Sequence, residues 1–251
     1  MNLTDREESR LIEELVARYV TNRDIFKALG GALFEVLNES EDLRRLVHSI
    51  KYRVKDPDHL RDKLQRKLRD EKLLNRKRFS VTPKNIFQEI NDLTGVRILH
   101  LHTTQIESID IALRKCLTSQ NYELAEGPTA KTWDDESRSY FQSLNIETET
   151  SKTQYTSVHY VFNVKNDTKA TFEIQVRTLA EELWGEVDHL INYPHRHKLL
   201  ACTEQIAVLA RATSTCTRLV DAIFQTHTEF LARESRPVGP ARKKRIENPR
   251  K

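Results

Sequence analysis

The sequence predicts an α/β protein, with a mixed sheet of about five strands flanked by N- and C-terminal helices. Three observations lead there. Apolar residues recur at helical spacing through the first 70 residues and again from residue 179 onward. From about residue 90 the texture changes to short β-branched or alternating runs bounded by turn residues. No internal repeat is present, so one sheet packed by terminal helices accounts for the pattern.

Taken in order, Thr4 and Glu7 have the spacing of a capping box. Leu11, Ile12, Leu15, Val16, Tyr19 and Val20 then form a helical stripe. Gly30-Gly31 predicts a break in the next helix. A third helical segment carries Leu43, Leu46, Val47 and Ile50, and a highly charged helix, HLRDKLQRKLRDEKLL, follows the turn Asp56-Pro57-Asp58. GVRILHL (95–101) reads as a strand, SIDIALRKCL (108–117) as a helix, and YELAEG (122–127) as a strand ending in a Gly-Pro turn. YTSVHYVFNV (155–164) alternates, with Val158, Tyr160, Phe162 and Val164 on one side and Tyr155, Ser157 and His159 on the other. A turn signal at Lys165-Asn166-Asp167 leads into TFEIQVRT (171–178), so the two strands are expected to form an antiparallel hairpin. Residues 179–191 and about 198–232 return to helical periodicity. The organisation expected is N-terminal helices over 1–44, a core over 45–195, helices packing on it over 196–233, and a basic tail over 234–251.

Composition narrows the class. An apolar content of 38% beside 31% charged residues suits a soluble protein rich in amphipathic helices. No apolar run approaches the roughly 20 residues that span a bilayer. The start, MNLTDREESR, is acidic and polar where a secretory signal is basic and then greasy, so a cytoplasmic location and no membrane partner are expected. Cys116, Cys202 and Cys216 lie far apart, which argues against both a disulfide framework and a zinc site. The net charge of +4 is uneven, because Arg233 to Lys251 hold eight Lys or Arg against two Glu. That tail reads either as a solvated segment or as an anchor for RNA or phosphate.

The hairpin carries the chemistry. Along 171–178, Phe172, Ile174 and Val176 share one face, while Glu173, Gln175 and Arg177 share the other at steps of about 6–7 Å. With both apolar faces turned to the core, Tyr155, Ser157 and His159 join those three polar groups on one side. A solvated face seldom collects so many. Arg53 and Lys55 precede the Pro57 turn, and Lys63, Arg66 and Lys67 follow on the charged helix. Lys63 and Lys67 are i, i+4 like charges, unfavourable unless an anion sits between them, although Arg66 and Lys67 also suit a plain solvated face. Asp92 and Arg97 bracket a helix-to-strand junction. With only six glycines and no Gly-rich phosphate loop, any nucleotide phosphates must be held by Arg and Lys side chains. An acid beside such a cluster suits Mg²⁺ bridging phosphates, and a second acid can take a proton from an attacking hydroxyl. That is the inventory of phosphoryl or pyrophosphoryl transfer.

DLTGVRI (92–98), YTSVHYVF (155–162) and EIQVRTLAEELWGEVDHLINY (173–193), in that order, closely resemble the synthetase domain of RelA/SpoT proteins, and RVKDPDHLRDKLQRK (53–67) resembles the same family's R-x-K segment. The resemblance covers about residues 45–195 and implies that family's nucleotidyltransferase-like synthetase fold. It implies transfer of the β,γ-pyrophosphate of ATP to the 3′-hydroxyl of GDP or GTP, making (p)ppGpp. Arg53 and Arg97 would flank the adenine, Lys55 and Lys63 would hold ATP phosphates, and His59 would stand on the donor side in the place of a serine. Asp92 would hold Mg²⁺, and Glu173 would bind Mg²⁺ or activate the hydroxyl. Tyr155 would stack on the acceptor base, His159 would face acceptor phosphates or ribose, and Gln175 and Arg177 would line the same face.

The resemblance is incomplete around the acceptor. Gln154 stands where the family usually has Gly, and a lysine common four residues before the tyrosine is replaced by Ser151, with Lys152 one place later. A toxin-type relative using adenine nucleotides or the tRNA 3′ end as acceptor therefore stays open, as does a homo-oligomer. No His-Asp dipeptide of the family's hydrolase module occurs, so a synthetase-only chain is expected. Trp184, His189 and Tyr193, at helical spacing, read as packing residues.

Overall fold

A computed structural model of the chain describes residues 4–74, 76, 78–151, 153–164, 170–192 and 199–235, apart from the Asp5 side chain. Two helices open it, α1 (Asp5–Thr21) and α2 (Arg23–Glu39), followed by one turn, α3 (Glu41–Arg44). Strand β1 (Ser49–Val54), helix α4 (Pro57–Leu73) and the short α5 (Ile86–Glu89) lead to β2 (Thr94–His100). Then come α6 (Ile106–Ser119), β3 (Glu123–Thr132), α7 (Asp135–Ser143), β4 (Glu147–Thr150), β5 (Ser157–Asn163) and β6 (Thr171–Thr178). Helices α8 (Leu179–Asn192) and α9 (Leu200–Glu234) complete the described chain.

The strands form one mixed six-stranded sheet in the order β1-β2-β6-β5-β3-β4. β2 runs parallel to β6 and β3 parallel to β4, and the other neighbours are antiparallel. The expected β5–β6 hairpin forms, with His159 opposite Gln175 and Phe162 opposite Phe172. Phe172, Ile174 and Val176 are buried against α2 and α6 together with Leu33, Leu37, Val96, Ile98, Leu113, Tyr160 and Phe162. A second core joins α1 to α4 through Leu15, Tyr19, Leu60 and Leu64. The Thr4 capping box is present, with Glu7 N donating to the threonine hydroxyl and Thr4 N donating to the Glu7 carboxylate.

Several elements differ from expectation. Residues 49–54 are a strand and not helix, since Ile50, Tyr52 and Val54 alternate with Lys51 and Arg53 and the whole run pairs with β2. Gly30-Gly31 does not break α2, which runs continuously to Glu39. A Cβ on Gly30 would lie 2.6 Å from Cδ2 of Tyr52, so this glycine lets the helix cross close over β1. The Gly-Pro at 127–128 does not end β3; it sits in a register shift between Glu126 and Thr129. Gly127 has φ +89°, and a Cβ there would meet the His159 carbonyl oxygen at 2.5 Å, so the bulge calls for glycine. Helix α7 and edge strand β4 were not expected and bring the sheet from about five strands to six. The turn expected at 165–167 lies outside the described residues.

Candidate active site

The sheet face opposite the α2–α6 core is polar. In register across four strands lie Lys51, Arg97, Gln175 and His159, and in the next row Arg53, Gly95 and Glu173. Helix α8 crosses this face and α4 borders it. Between them opens a cleft of about 570 Å³. It is lined at one end by Arg53, Lys55, His59, Lys63 and Asp92, and at the other by Gln154, Tyr155, Gln175, Arg177, Trp184 and Ile206. Arg97 lies in its floor. Residues from both ends of the family-like segment thus meet in one cavity.

At the first end Asp92 bridges two ammonium groups, Lys55 Nζ at 2.6 Å and Lys63 Nζ at 2.8 Å. Burial opposes ionisation of this carboxyl, but the charges of Lys63 and Lys55 outweigh it and hold Asp92 well below the usual carboxylate range. The like-charge spacing on α4 is resolved by separate acids. Lys67 pairs with Glu89 at 3.0 Å while Lys63 takes Asp92. Arg66, which also read as solvated charge, lines the cleft.

At the second end Tyr155 closes a cluster with Trp184, Ile206 and Ala210. Trp184 is a packing residue as expected, its indole N–H donating to the Ile206 carbonyl at 3.0 Å. Arg177 lines the cleft from a buried position. It is only 3% exposed, is paired with the buried Glu182, and rests 5.7 Å from the Tyr155 ring centre. A Cβ on Gly185 would come within 2.7 Å of its Nη1, so this position of α8 leaves room for the guanidinium. Arg97 is likewise engaged by α8, through Glu182 at 3.3 Å and Glu186 at 2.5 Å.

Glu173 and His159 lie beneath the cleft wall formed by Tyr155 and Gln175. His159 Nδ1 is 2.7 Å from Glu173 Oε1, and Gln175 Nε2 donates to Glu173 Oε2 at 2.7 Å. Burial raises the Glu173 carboxyl, but the hydrogen bond and charge of His159 overcome that and hold it low. The charge of Asp92 works the other way on Glu173, so the two acids feel each other. Among the described residues no group of three or more His, Cys, Asp or Glu could hold a metal ion. A pair of acids still fits Mg²⁺, which keeps several waters and takes one or two protein carboxylates plus substrate phosphates. A divalent cation near both would relieve their repulsion.

Every expected site residue but one lines or adjoins this cleft, and Lys152 lies outside the described residues. A model of the region found in RelA / SpoT proteins matches residues 52–198. The chain belongs to the RelA/SpoT family. Its fold is shared with a GTP pyrophosphokinase family protein from Streptococcus pneumoniae, at 18% identity and TM-score 0.58 over 88% of this chain and 96% of that one. The small alarmone synthetase 1 from Bacillus subtilis matches at 18% identity and TM-score 0.55, over 88% and 97%. The same B. subtilis protein bound to its product pppGpp matches at 19% identity and TM-score 0.51, over 87% and 97%. No curated protein matches this chain in sequence.

Sequence reasoning missed the α8 wall of the site. His189 lines the cleft, its ring 5.6 Å from that of His59, where packing was expected. Burial lowers its pKa, and the charges of His59 and Arg53 lower it further. Glu182, Gly185, Glu186 and His189 follow i, i+3, i+4, i+7 spacing, a helical stripe of polar and small residues legible in the sequence. Tyr193 lies outside the described residues.

Proposed function

We propose that this chain transfers the pyrophosphoryl group of ATP to the 3′-hydroxyl of GDP or GTP, giving (p)ppGpp and AMP. The observation that carries this reading is the cleft itself, where Arg53, Lys55, Lys63 and Arg97 stand beside two ionised carboxylates, with an aromatic ring at the far end. Lys55 and Lys63 exchange Asp92 for donor phosphates, as point charges do readily. Arg53 and Arg97 offer guanidinium planes to the adenine. Tyr155 carries the acceptor base, a contact worth about 1–3 kcal/mol. The acceptor oxygen bonds to the β-phosphorus of ATP, the bond from that phosphorus to the α,β-bridging oxygen breaks, and AMP departs. Glu173 takes the hydroxyl proton. Mg²⁺, held by Asp92 and Glu173, would supply neutralisation of phosphate charge. A B. subtilis relative of the same fold binds pppGpp as its product, which supports a guanosine acceptor here.

The lining of the acceptor end favours keeping a second reading. Thr153 and Gln154 face the cleft just before Tyr155, where the family's usual glycine would leave open space. That difference suits a relative acting on adenine nucleotides or the tRNA 3′ end. Incubation with γ-labelled ATP and GDP, GTP, AMP, ATP or deacylated tRNA decides. Label on GDP or GTP supports the first reading, whereas label confined to an adenine nucleotide or tRNA replaces it with the second.

A further inference from the structure

Four side chains beside the cleft close a hydrogen-bonded ring. The Tyr155 hydroxyl donates to Gln175 Oε1 at 3.3 Å. Gln175 Nε2 donates to Glu173 Oε2 at 2.7 Å, and the other carboxylate oxygen accepts from His159 Nδ1 at 2.7 Å. With His159 as the imidazolium, its Nε2–H donates to the Tyr155 oxygen at 3.3 Å. Bond directions around it are constrained. An ionised carboxylate only accepts, so Gln175 must turn its amide nitrogen to Glu173 and its oxygen to Tyr155. Tyrosine has a single hydroxyl proton and gives it to that oxygen. The orientation of each member therefore depends on the other three.

Burial makes the ring matter. His159 is 9% exposed and the Glu173 side chain 16% exposed, so little water is at hand to replace a lost partner. Among the described residues no hydrogen bond joins the carboxylate to Tyr155 directly; Gln175 and His159 each bridge the two. The aromatic ring of Tyr155 meanwhile faces the cleft and its phenol end faces the polar relay.

We infer that the Tyr155 hydroxyl is a positioning group for Glu173. Its ring holds the acceptor base, and its oxygen, by way of Gln175 and His159, fixes the carboxylate that serves the acceptor hydroxyl. This role rests on the pyrophosphoryl-transfer reading and adds to it a physical link between seating the base and aiming the acid. The two Tyr155 bonds are long, at 3.3 Å each, and catalytic hydrogen bonds of this kind tighten in the substrate complex.

The test separates ring from hydroxyl. Tyr155→Phe keeps the aromatic face, so acceptor affinity measured without donor should stay within about twofold, while kcat falls roughly five- to twentyfold. Gln175→Met, close in volume, should cost a similar factor, and the double variant no more than the worse single one, as members of one unit are not additive. Unchanged kcat in Tyr155→Phe, costs that multiply in the double variant, or a loss found wholly in acceptor affinity would each overturn the role. A second measurement needs no turnover. The melting-temperature shifts of Tyr155→Phe and Glu173→Gln should fall short of additivity when combined, although the two residues are joined only by hydrogen bonds through Gln175 and His159. Additive shifts sink the ring even in an active enzyme. Sub-additive shifts in a wild-type protein that labels no acceptor would keep the ring and discard the pyrophosphoryl-transfer reading instead.

Discussion

The guanidinium of Arg177 sits 5.7 Å from the centre of the Tyr155 ring, and both belong to the wall of the cleft. Because Arg177 is buried and paired with Glu182, it is a fixed support and not a free phosphate ligand. It backs one side of the ring that the base is expected to use. Its pairing with the buried Glu182 on α8 means that this helix, no less than the sheet, sets where the ring lies.

Gly185→Ala tests that arrangement. The added methyl would meet Arg177 Nη1 at 2.7 Å and Cζ at 3.4 Å, and the guanidinium, held by Glu182, has little room to retreat. Overpacking of this kind costs about 1–3 kcal/mol, partly offset by the roughly 1 kcal/mol that alanine gains over glycine inside a helix. Stability should therefore fall only slightly, by thermal melting. The acceptor KM should rise severalfold with the ATP KM nearly unchanged. Equal effects on both substrates would show that Arg177 does not act through Tyr155.

Asp92→Asn removes the partner of two lysines while keeping volume. Turnover should drop by about 10²-fold or more, since the charge is needed near the phosphates. Lys55, whose side chain is 10% exposed, is left with an uncompensated charge, so stability should fall on the order of 1–3 kcal/mol. In EDTA, however, ATP should bind as tightly as to the wild type or more tightly, because Lys55 and Lys63 no longer have to leave a carboxylate. Weaker metal-free ATP binding would mean that these lysines do not meet the donor.

Glu181 offers a prediction about pH. It caps α8, accepting from the Thr178 backbone N–H and hydroxyl at 3.0 Å each, and burial pushes its carboxyl up to about 7. With the folded value above the unfolded one near 4.5, the native state binds the proton more tightly. Its contribution to stability is therefore complete below about pH 4.5 and is lost as pH rises towards 7. Glu181→Gln keeps the cap and abolishes this titration. The variant should exceed the wild type in stability at pH 8 by on the order of 1–2 kcal/mol, with the gap closing by pH 4.5. A difference independent of pH would assign the effect to packing.

Much of the fold was legible because β2, β5 and β6 alternate cleanly or run as bounded β-branched stretches. Strand β1 was not, since Leu43, Leu46, Val47 and Ile50 happen to match helical spacing, and only pairing with β2 settles residues 49–54. The residues that the motifs single out, Lys55, Lys63, Asp92 and Tyr155, are brought by the fold to one cleft, with Glu173 beside it. What no local pattern could give is how α8 lies across the sheet. That docking turns Glu182 and Glu186 towards Arg97 and brings His189 beside His59. Arg177 was assigned to the substrate for the same reason, as its buried partner comes from that helix.

The acceptor end holds the last prediction. Tyr155 offers a π-face, and stacking alone tolerates every base. Discrimination must come from groups that meet the edge of the base, and Gln154 lines the cleft immediately before the tyrosine. Tyr155→Ala should therefore cripple transfer to all acceptors alike, by about 10- to 100-fold in kcat/KM, from the stacking energy removed. Gln154→Gly takes away an amide that can donate and accept, and leaves the platform intact. It should change the ratio of kcat/KM between guanosine and adenosine acceptors by about tenfold, the scale of one edge hydrogen bond, at little cost to the better substrate. Competition assays with paired acceptors measure that ratio directly. If Gln154→Gly lowers every acceptor by one common factor, the residue shapes the loop and not the choice, and selectivity must be sought among Thr153, Asp188 and Asn192 along the same wall.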